Sequence, residues 1–163
     1  MVNGGLLPLR LYCDMNVYNR CFDDQNQLRI RLETAAIEGI LALAEARRLA
    51  LLWSFMLDYE NSLNPHEDRK EGVELLSRLC TDTIVPSPKI MRLARSLLKS
   101  GKVKARDAVH LACAETAECD YFVTCDDVLI TAFERHRRRR KLKVKAINPV
   151  EFIRSEGEKY GQG

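Results

Sequence analysis

The chain has 163 residues, of which 46% are hydrophobic and 30% charged, and its net charge is +3. This length suits one domain with a sizeable core, and the composition excludes a disordered polymer. No apolar run reaches the length of a membrane span, and no basic segment leads into a signal-type apolar core, so a cytoplasmic protein is expected.

Residues 6–13 read as a short buried strand, and residues 14–20 can start a helical turn. Residues 25–49 form the clearest long helix: Leu28, Leu32, Ala36, Ile40 and Leu43 recur at spacings of three and four, with Arg29, Arg31, Glu33 and Glu38 between them. A second apolar strand covers 49–53. Ser54 follows as a helix cap for 55–63, which Asn64-Pro65 terminates. An amphipathic helix over 66–79 precedes a third strand at 82–85. Pro86 and Pro88 then suit the start of a helix over 90–98, ending near Gly101. Helix 104–118, strand 121–124, helix 128–137, strand 144–147 and a short helix over 149–153 complete the order.

Strands thus alternate with helices from end to end. The pattern predicts an α/β three-layer sandwich, a central parallel sheet flanked by helices. One domain is expected over residues 6–154, with a polar, Gly-rich tail over 155–163 that frays.

The six cysteines (Cys13, Cys21, Cys80, Cys113, Cys119 and Cys125) include no Cys-x-x-Cys pair, so a zinc ribbon is not expected. The evenly spaced Cys113, Cys119 and Cys125 could supply three thiolate ligands, but they sit among apolar residues, where free cysteine acts as a small hydrophobe, and dispersed thiols suit a reducing compartment. Charge is concentrated. Residues 135–145 hold eight Lys or Arg and no acid, and the remainder carries 18 basic against 23 acidic residues. Such a strip, centred on Arg137, Arg138, Arg139 and Arg140, attracts a phosphate backbone. It equally suits a solvated helix end, where cations complement the dipole.

Three acids occupy similar places. Asp14 ends the first strand, with Asn16 two residues on. Asp126 follows another strand, with Thr124 two residues before it, and Asp107 opens the alanine-rich helix. Each alone is explained as a helix cap or first-turn acid. Converging without basic partners, they would repel one another unless a cation neutralised them. A fourth acid would complete an oxygen site suited to Mg²⁺ or Mn²⁺. The helix after the second strand offers two, Asp58 and Glu60, which point in different directions. His110 shares a helical face with Asp107, where it could touch substrate or donate a proton, and is expected instead as a half-buried packing residue. His66 and His136 fall in charged surface stretches. Asp127 is expected exposed, and Glu33 structural, paired with Arg29 or Arg20.

Asp14-x-Asn16, an acid on the helix after the second strand, Asp107-Ala-Val-His-Leu-Ala and Phe-Val-Thr124-x-Asp126 together resemble a PIN domain. Tyr18-Asn-Arg20-Cys-Phe-Asp23-Asp24 is similar to a stretch of some bacterial members, with Cys21 in place of proline, and Ile147-Asn-Pro-Val-Glu-Phe-Ile is similar to the fold's last strand and helix. The resemblance runs over residues 11–153. It selects Glu60 over Asp58. It implies Asp14, Glu60, Asp107 and Asp126 around one or two divalent ions, with Asn16 and Thr124 orienting ligands or water. It further implies a Mg²⁺-dependent ribonuclease using metal-activated water, with RNA as substrate. Many bacterial members are toxins restrained by an antitoxin protein, and homodimers are common. A catalytically silent RNA-binding or assembly module on the same fold is the competing expectation. A phospho-acceptor receiver is disfavoured, because its acid pair would come early and the Asp126-Asp127 doublet comes late.

Overall fold

The computed structural model describes residues 7–161. In chain order the elements are β1 (Leu9–Cys13), α1 (Met15–Asn19), a 3-10 turn (Arg20–Phe22), α2 (Leu28–Glu45), β2 (Leu49–Ser54), α3 (Phe55–Ser62) and α4 (Glu67–Ser77). They continue with β3 (Asp82–Ile84), α5 (Pro88–Leu98), α6 (Ala105–Thr116), β4 (Tyr121–Val123), α7 (Asp127–Arg140), β5 (Lys145–Ile147) and α8 (Pro149–Gly161). Every expected strand and helix is present. Leu6, placed in the first strand by its sequence, lies outside the described residues.

The five strands form one parallel sheet in the order β3-β2-β1-β4-β5. The central strand is buried on both faces, with Leu11, Tyr12 and Cys13 inaccessible, as a covered parallel sheet requires. Leu11 is level with Leu51 and Tyr121, and Tyr12 with Leu52 and Phe122. Tyr12 stacks on Phe122 and meets His110 of α6, so α6 and its neighbour α5 cover that face. Tyr121 points the other way, against Phe152 of α8, which packs with α2. The result is a three-layer sandwich.

Asp14, Ser54, Ser87 and Asp126 all cap helices, each accepting a hydrogen bond from an amide of the first turn. Three of these follow β1, β2 and β4. Successive strands therefore end in a polar residue that turns the chain into a helix on one edge of the sheet. Because the strand order reverses between β1 and β4, this edge contains the crevice where open α/β sheets bind ligands.

Three expectations change. Leu28 and Leu32 are 60% and 53% exposed, and α2 instead buries Glu33, Ala36, Ile37, Ile40 and Ala44. The first turns of α2 overhang a groove beside Asn148 and Val150 rather than the core. The segment expected as a frayed tail continues α8 to Gly161. Packing explains this: Ile153 lies so close to Gly39 that a Cβ there would be 3.3 Å from its Cδ1, and Tyr121 donates to Glu156 at 2.8 Å. Arg48 also donates to the Tyr160 carbonyl at 3.1 Å. Finally, His136 is buried on α7 instead of lying at the surface.

Candidate metal centre

Asp14 is only 6% exposed, although it leaves the end of a strand. Its amide continues the sheet by donating to the Val123 carbonyl at 2.9 Å. Its Oδ1 accepts from the Met15 amide at 2.8 Å, the cap of α1. Its Oδ2 accepts from the Thr124 hydroxyl at 2.9 Å and from Asn16 Nδ2 at 3.1 Å. Asn16 also accepts from the Cys125 amide at 3.0 Å, and Thr124 Oγ1 accepts from the Asp126 amide at 3.2 Å. Asn16 and Thr124 thus tie the ends of β1 and β4 together and fix Asp14 between them. Cap and candidate ligand are one residue: a capping carboxylate engages part of its lone pairs and leaves others free. The same holds for Asp126, whose Oδ1 accepts from the Leu129 amide at 3.0 Å.

Glu60 reaches the site from the last turn of α3. Its Oε1 lies 2.8 Å from His110 Nε2, which is also 4.0 Å from Asp14 Oδ1. His110 is completely buried. Its Nδ1 is 2.6 Å from the Tyr12 hydroxyl, itself 2.6 Å from Ser54 Oγ. A neutral imidazole satisfies the whole row: Ser54 donates to Tyr12, Tyr12 donates to Nδ1, and Nε2–H donates to Glu60. Ser54 Oγ still accepts from the Leu57 amide at 3.2 Å, capping α3. The sequence reading placed His110 as a packing residue, and the structure places it as the holder of Glu60. Its role depends on Tyr12 and Glu60, which are remote in the chain. The one local signal was its position three residues after Asp107.

Asp107 enters from the first turn of α6. Its carboxyl is pushed up to about 6, first by burial and then by Asp14, Asp126 and Glu60, with His110 opposing. Burial likewise raises the Asp14 carboxyl, with Glu60 adding to it, against His110 and the hydrogen bonds from Thr124 and Met15. Among the described residues, no Lys or Arg forms an ion pair with Asp14, Glu60, Asp107 or Asp126. Four carboxylates therefore share a crevice in which none of them is ion-paired with a Lys or Arg. They line one open pocket of about 660 Å³, with Asn16, Asn19, Asp23, Arg69, Lys104 and Arg106 also in its walls. The tightest ligand-type group is Asp14, Glu60 and His110, whose donor atoms lie within 4.8 Å of one another. Oxygen donors with no paired cation are the set a hard divalent ion takes, so the residues fit one.

The alternatives separate cleanly. Asp58 accepts from Trp53 Nε1 at 2.6 Å, away from the pocket. Asp127 is exposed and pairs with Arg29 at 2.9 Å. Glu33 is buried on Arg20, Arg29 and Asn148. The thiols of Cys13, Cys113, Cys119 and Cys125 are buried and unpaired, consistent with packing roles. Arg137, Arg138, Arg139 and Arg140 close α7 about 16–21 Å of helical rise beyond Asp126, so they do not flank the carboxylates. The cations on the pocket rim are Arg69, Lys104 and Arg106, none of which the sequence reading selected; Arg106 lies 5.7 Å over the ring of Tyr59, 51% exposed beside Glu60.

No family model matches the chain, and no curated protein sequence matches it. The crystal structure of FitAcB from Neisseria gonorrhoeae is similar to it in fold: TM-score 0.54, covering 85% of this chain and 97% of that one, at 16% identity. The fold is PIN-like. The sandwich expected from the sequence is thereby matched in a solved structure. No helix of the described PIN-like fold is long and apolar enough to cross a membrane.

The carboxylate cluster of this PIN-like fold has a consequence for stability. A carboxyl raised in the folded state binds its proton more tightly folded than unfolded, so the linked stability is present below the ordinary carboxyl range and lost as pH rises through about 6. In EDTA, the melting temperature should fall between pH 5 and pH 7.5, and Asp107→Asn should flatten that fall. Parallel curves for the two proteins would show that Asp107 is not the group responsible.

Proposed function

We propose that this protein is a Mg²⁺- or Mn²⁺-dependent endoribonuclease. The observation that carries the reading is the convergence of Asp14, Glu60, Asp107 and Asp126 in one pocket with no paired cation. A divalent ion bound there would acidify a coordinated water and stabilise negative charge on phosphate oxygens. The chain's own residues supply the rest. Asp14, fixed by Thr124 and Asn16, is the best-ordered ligand. His110, itself held by Tyr12, aims Glu60 inward. Asp107 and Asp126 complete the oxygen set from the starts of α6 and α7. Arg69, Lys104 and Arg106 draw a phosphate chain to the rim, and exposed Tyr59 offers a face on which a base can stack.

The family resemblance further supports a toxin, active in the cytoplasm, inhibited by a small antitoxin and able to form a homodimer. Growth arrest on expression that Asp14→Asn relieves would separate a toxin from a housekeeping nuclease.

The activity is tested by incubating the purified protein with mixed single-stranded and folded RNA in Mg²⁺ and in EDTA. Cleavage confined to the Mg²⁺ samples is expected. Cleavage that persists in EDTA would rule out the metal mechanism, and RNA binding without cleavage would favour the silent module.

A further inference from the structure

Two segments of the chain, residues 83–106 and 135–145, hold fifteen of the 26 Lys and Arg residues and none of the 23 Asp and Glu residues. Only the second stands out as a run, because the first spaces its cations two to four apart along α5, the loop after it and the start of α6. The fold brings the two together. Arg140 hydrogen-bonds Ser96 of α5. His136 of α7 is held below its ordinary value by burial and by Arg140, Arg139 and Lys102. Lys102 and Arg135 share a shallow surface beside Thr131, with Asp127 at its edge paired to Arg29. The outcome is one positive face. It starts at Lys104 and Arg106 on the carboxylate rim and ends in a cleft of about 780 Å³ at the opposite edge of the sheet.

Lys89, Arg92, Lys143 and Lys145 line that cleft, and all four are exposed. Of its three acids, Glu115 accepts from the Lys143 amide with both oxygens and from the Val144 amide with one, Asp120 accepts from the Arg10 amide at 2.8 Å, and Glu118 is exposed at the rim. Thr116 Oγ1, also in the lining, is buried without a hydrogen-bond partner. Lys89 lies in the first turn of α5, which holds no acid, so it opposes the helix dipole instead of serving the helix. α6 connects the two sites, with Asp107 in its first turn and Glu115 and Thr116 in its last, about 12–14 Å of helical rise apart.

We infer that this cleft is a second phosphate-binding site, which grips the backbone of a folded RNA whose scissile strand enters the carboxylate pocket. The inference rests on the ribonuclease reading for its ligand. It makes the substrate an extended or structured RNA, because a fragment of a few nucleotides cannot occupy both ends of the face.

The test uses the full chain carrying Asp14→Asn, in EDTA, so that binding is read without cleavage. Fluorescence anisotropy compares a hairpin of about 25 nucleotides with a single strand of about four, from 50 to 200 mM salt. Adding Lys89→Glu and Lys145→Glu should weaken hairpin binding about tenfold and lower the slope of log affinity on log salt by about one to two, one charge contact per lysine. Binding of the short strand should not change. Lys→Gln replacements should act in the same direction more weakly, and an unchanged melting temperature excludes misfolding. Equal hairpin affinity in the variant, an equal loss for both RNAs, or binding to phosphatidylserine vesicles with none to RNA would each overturn the inference. The nuclease reading fails separately: an absence of cleavage by the wild type, with cleft-dependent hairpin binding intact, overturns that reading alone.

Discussion

Asp14→Asn is expected to lower RNA cleavage by at least about 100-fold and to leave the fold intact. The carboxylate is the most buried acid of the four, and two donors, Asn16 in α1 and Thr124 just after β4, hold its Oδ2. An amide of the same shape still accepts from the Met15 amide, so the cap of α1 survives. What is lost is the charge that holds a divalent ion, together with the acceptor that Thr124 and Asn16 use at Oδ2. In EDTA the change also removes one of several mutually repelling carboxylates, so the metal-free melting temperature should stay level or rise. Mg²⁺ should then raise the melting temperature of the wild type and not that of the variant. Retained cleavage would remove Asp14 from the chemistry. A collapse in melting temperature would mean that its role is structural.

The largest effect on stability is expected away from the pocket, at Glu33. This residue is 2% exposed, and its Oε1 accepts from Arg29 Nε at 3.3 Å and forms an ion pair with Arg20 Nη2 at 3.3 Å. Its Oε2 accepts from Asn148 at 2.7 Å, and Asn148 caps α8 through the Val150 amide at 2.9 Å. One carboxylate therefore joins α2, the 3-10 turn after α1 and the start of α8. Truncation takes one of two carboxylate partners from the mostly buried Arg20 guanidinium, leaving it Asp23, and loosens the Asn148 cap. Glu33→Ala should cost about 3–5 kcal/mol of unfolding free energy, the range for removing one partner of a buried ion pair. Glu33→Gln, which keeps the hydrogen-bonding shape, should cost less. Urea denaturation reads both through the midpoint, provided the slope is unchanged. A loss below about 1 kcal/mol for Glu33→Ala would place this network among ordinary surface pairs.

The alternation of apolar runs and amphipathic helices was enough to place every strand: β1, β2 and β4 are short, apolar and lead into a capping residue, and the less apolar β3 and β5 fall between helices. The carboxylates were legible for the same reason: Asp14, Asp107 and Asp126 stand where elements begin, a local property. Strand order was not legible. Nothing local to β1 or β4 states that they pair, and that pairing, through Cys13 opposite Val123, brings Asp14 beside Thr124.

Residues whose meaning depends on distant partners were harder to read. His110 on an alanine-rich helix reads as core, and it is core, yet its two ring nitrogens meet Tyr12 and Glu60 from β1 and α3. Leu28 and Leu32 satisfy helical periodicity but extend past the sheet. The arginine run was visible as composition, whereas its place at the far end of α7 follows from which end of that helix the carboxylates occupy. The spaced cations of residues 83–106 form no dense window in the sequence; only folding against α7 makes them one surface.

The most direct measurement of the central claim is a crystal structure of the protein grown with Mn²⁺, read by anomalous scattering. The account predicts a peak in the pocket between Asp14, Glu60, Asp107 and Asp126, bonded to Asp14 Oδ2 or Oδ1 and absent from Asp14→Asn crystals. A pocket without Mn²⁺ at millimolar concentration, in a protein that still cleaves RNA, would contradict it.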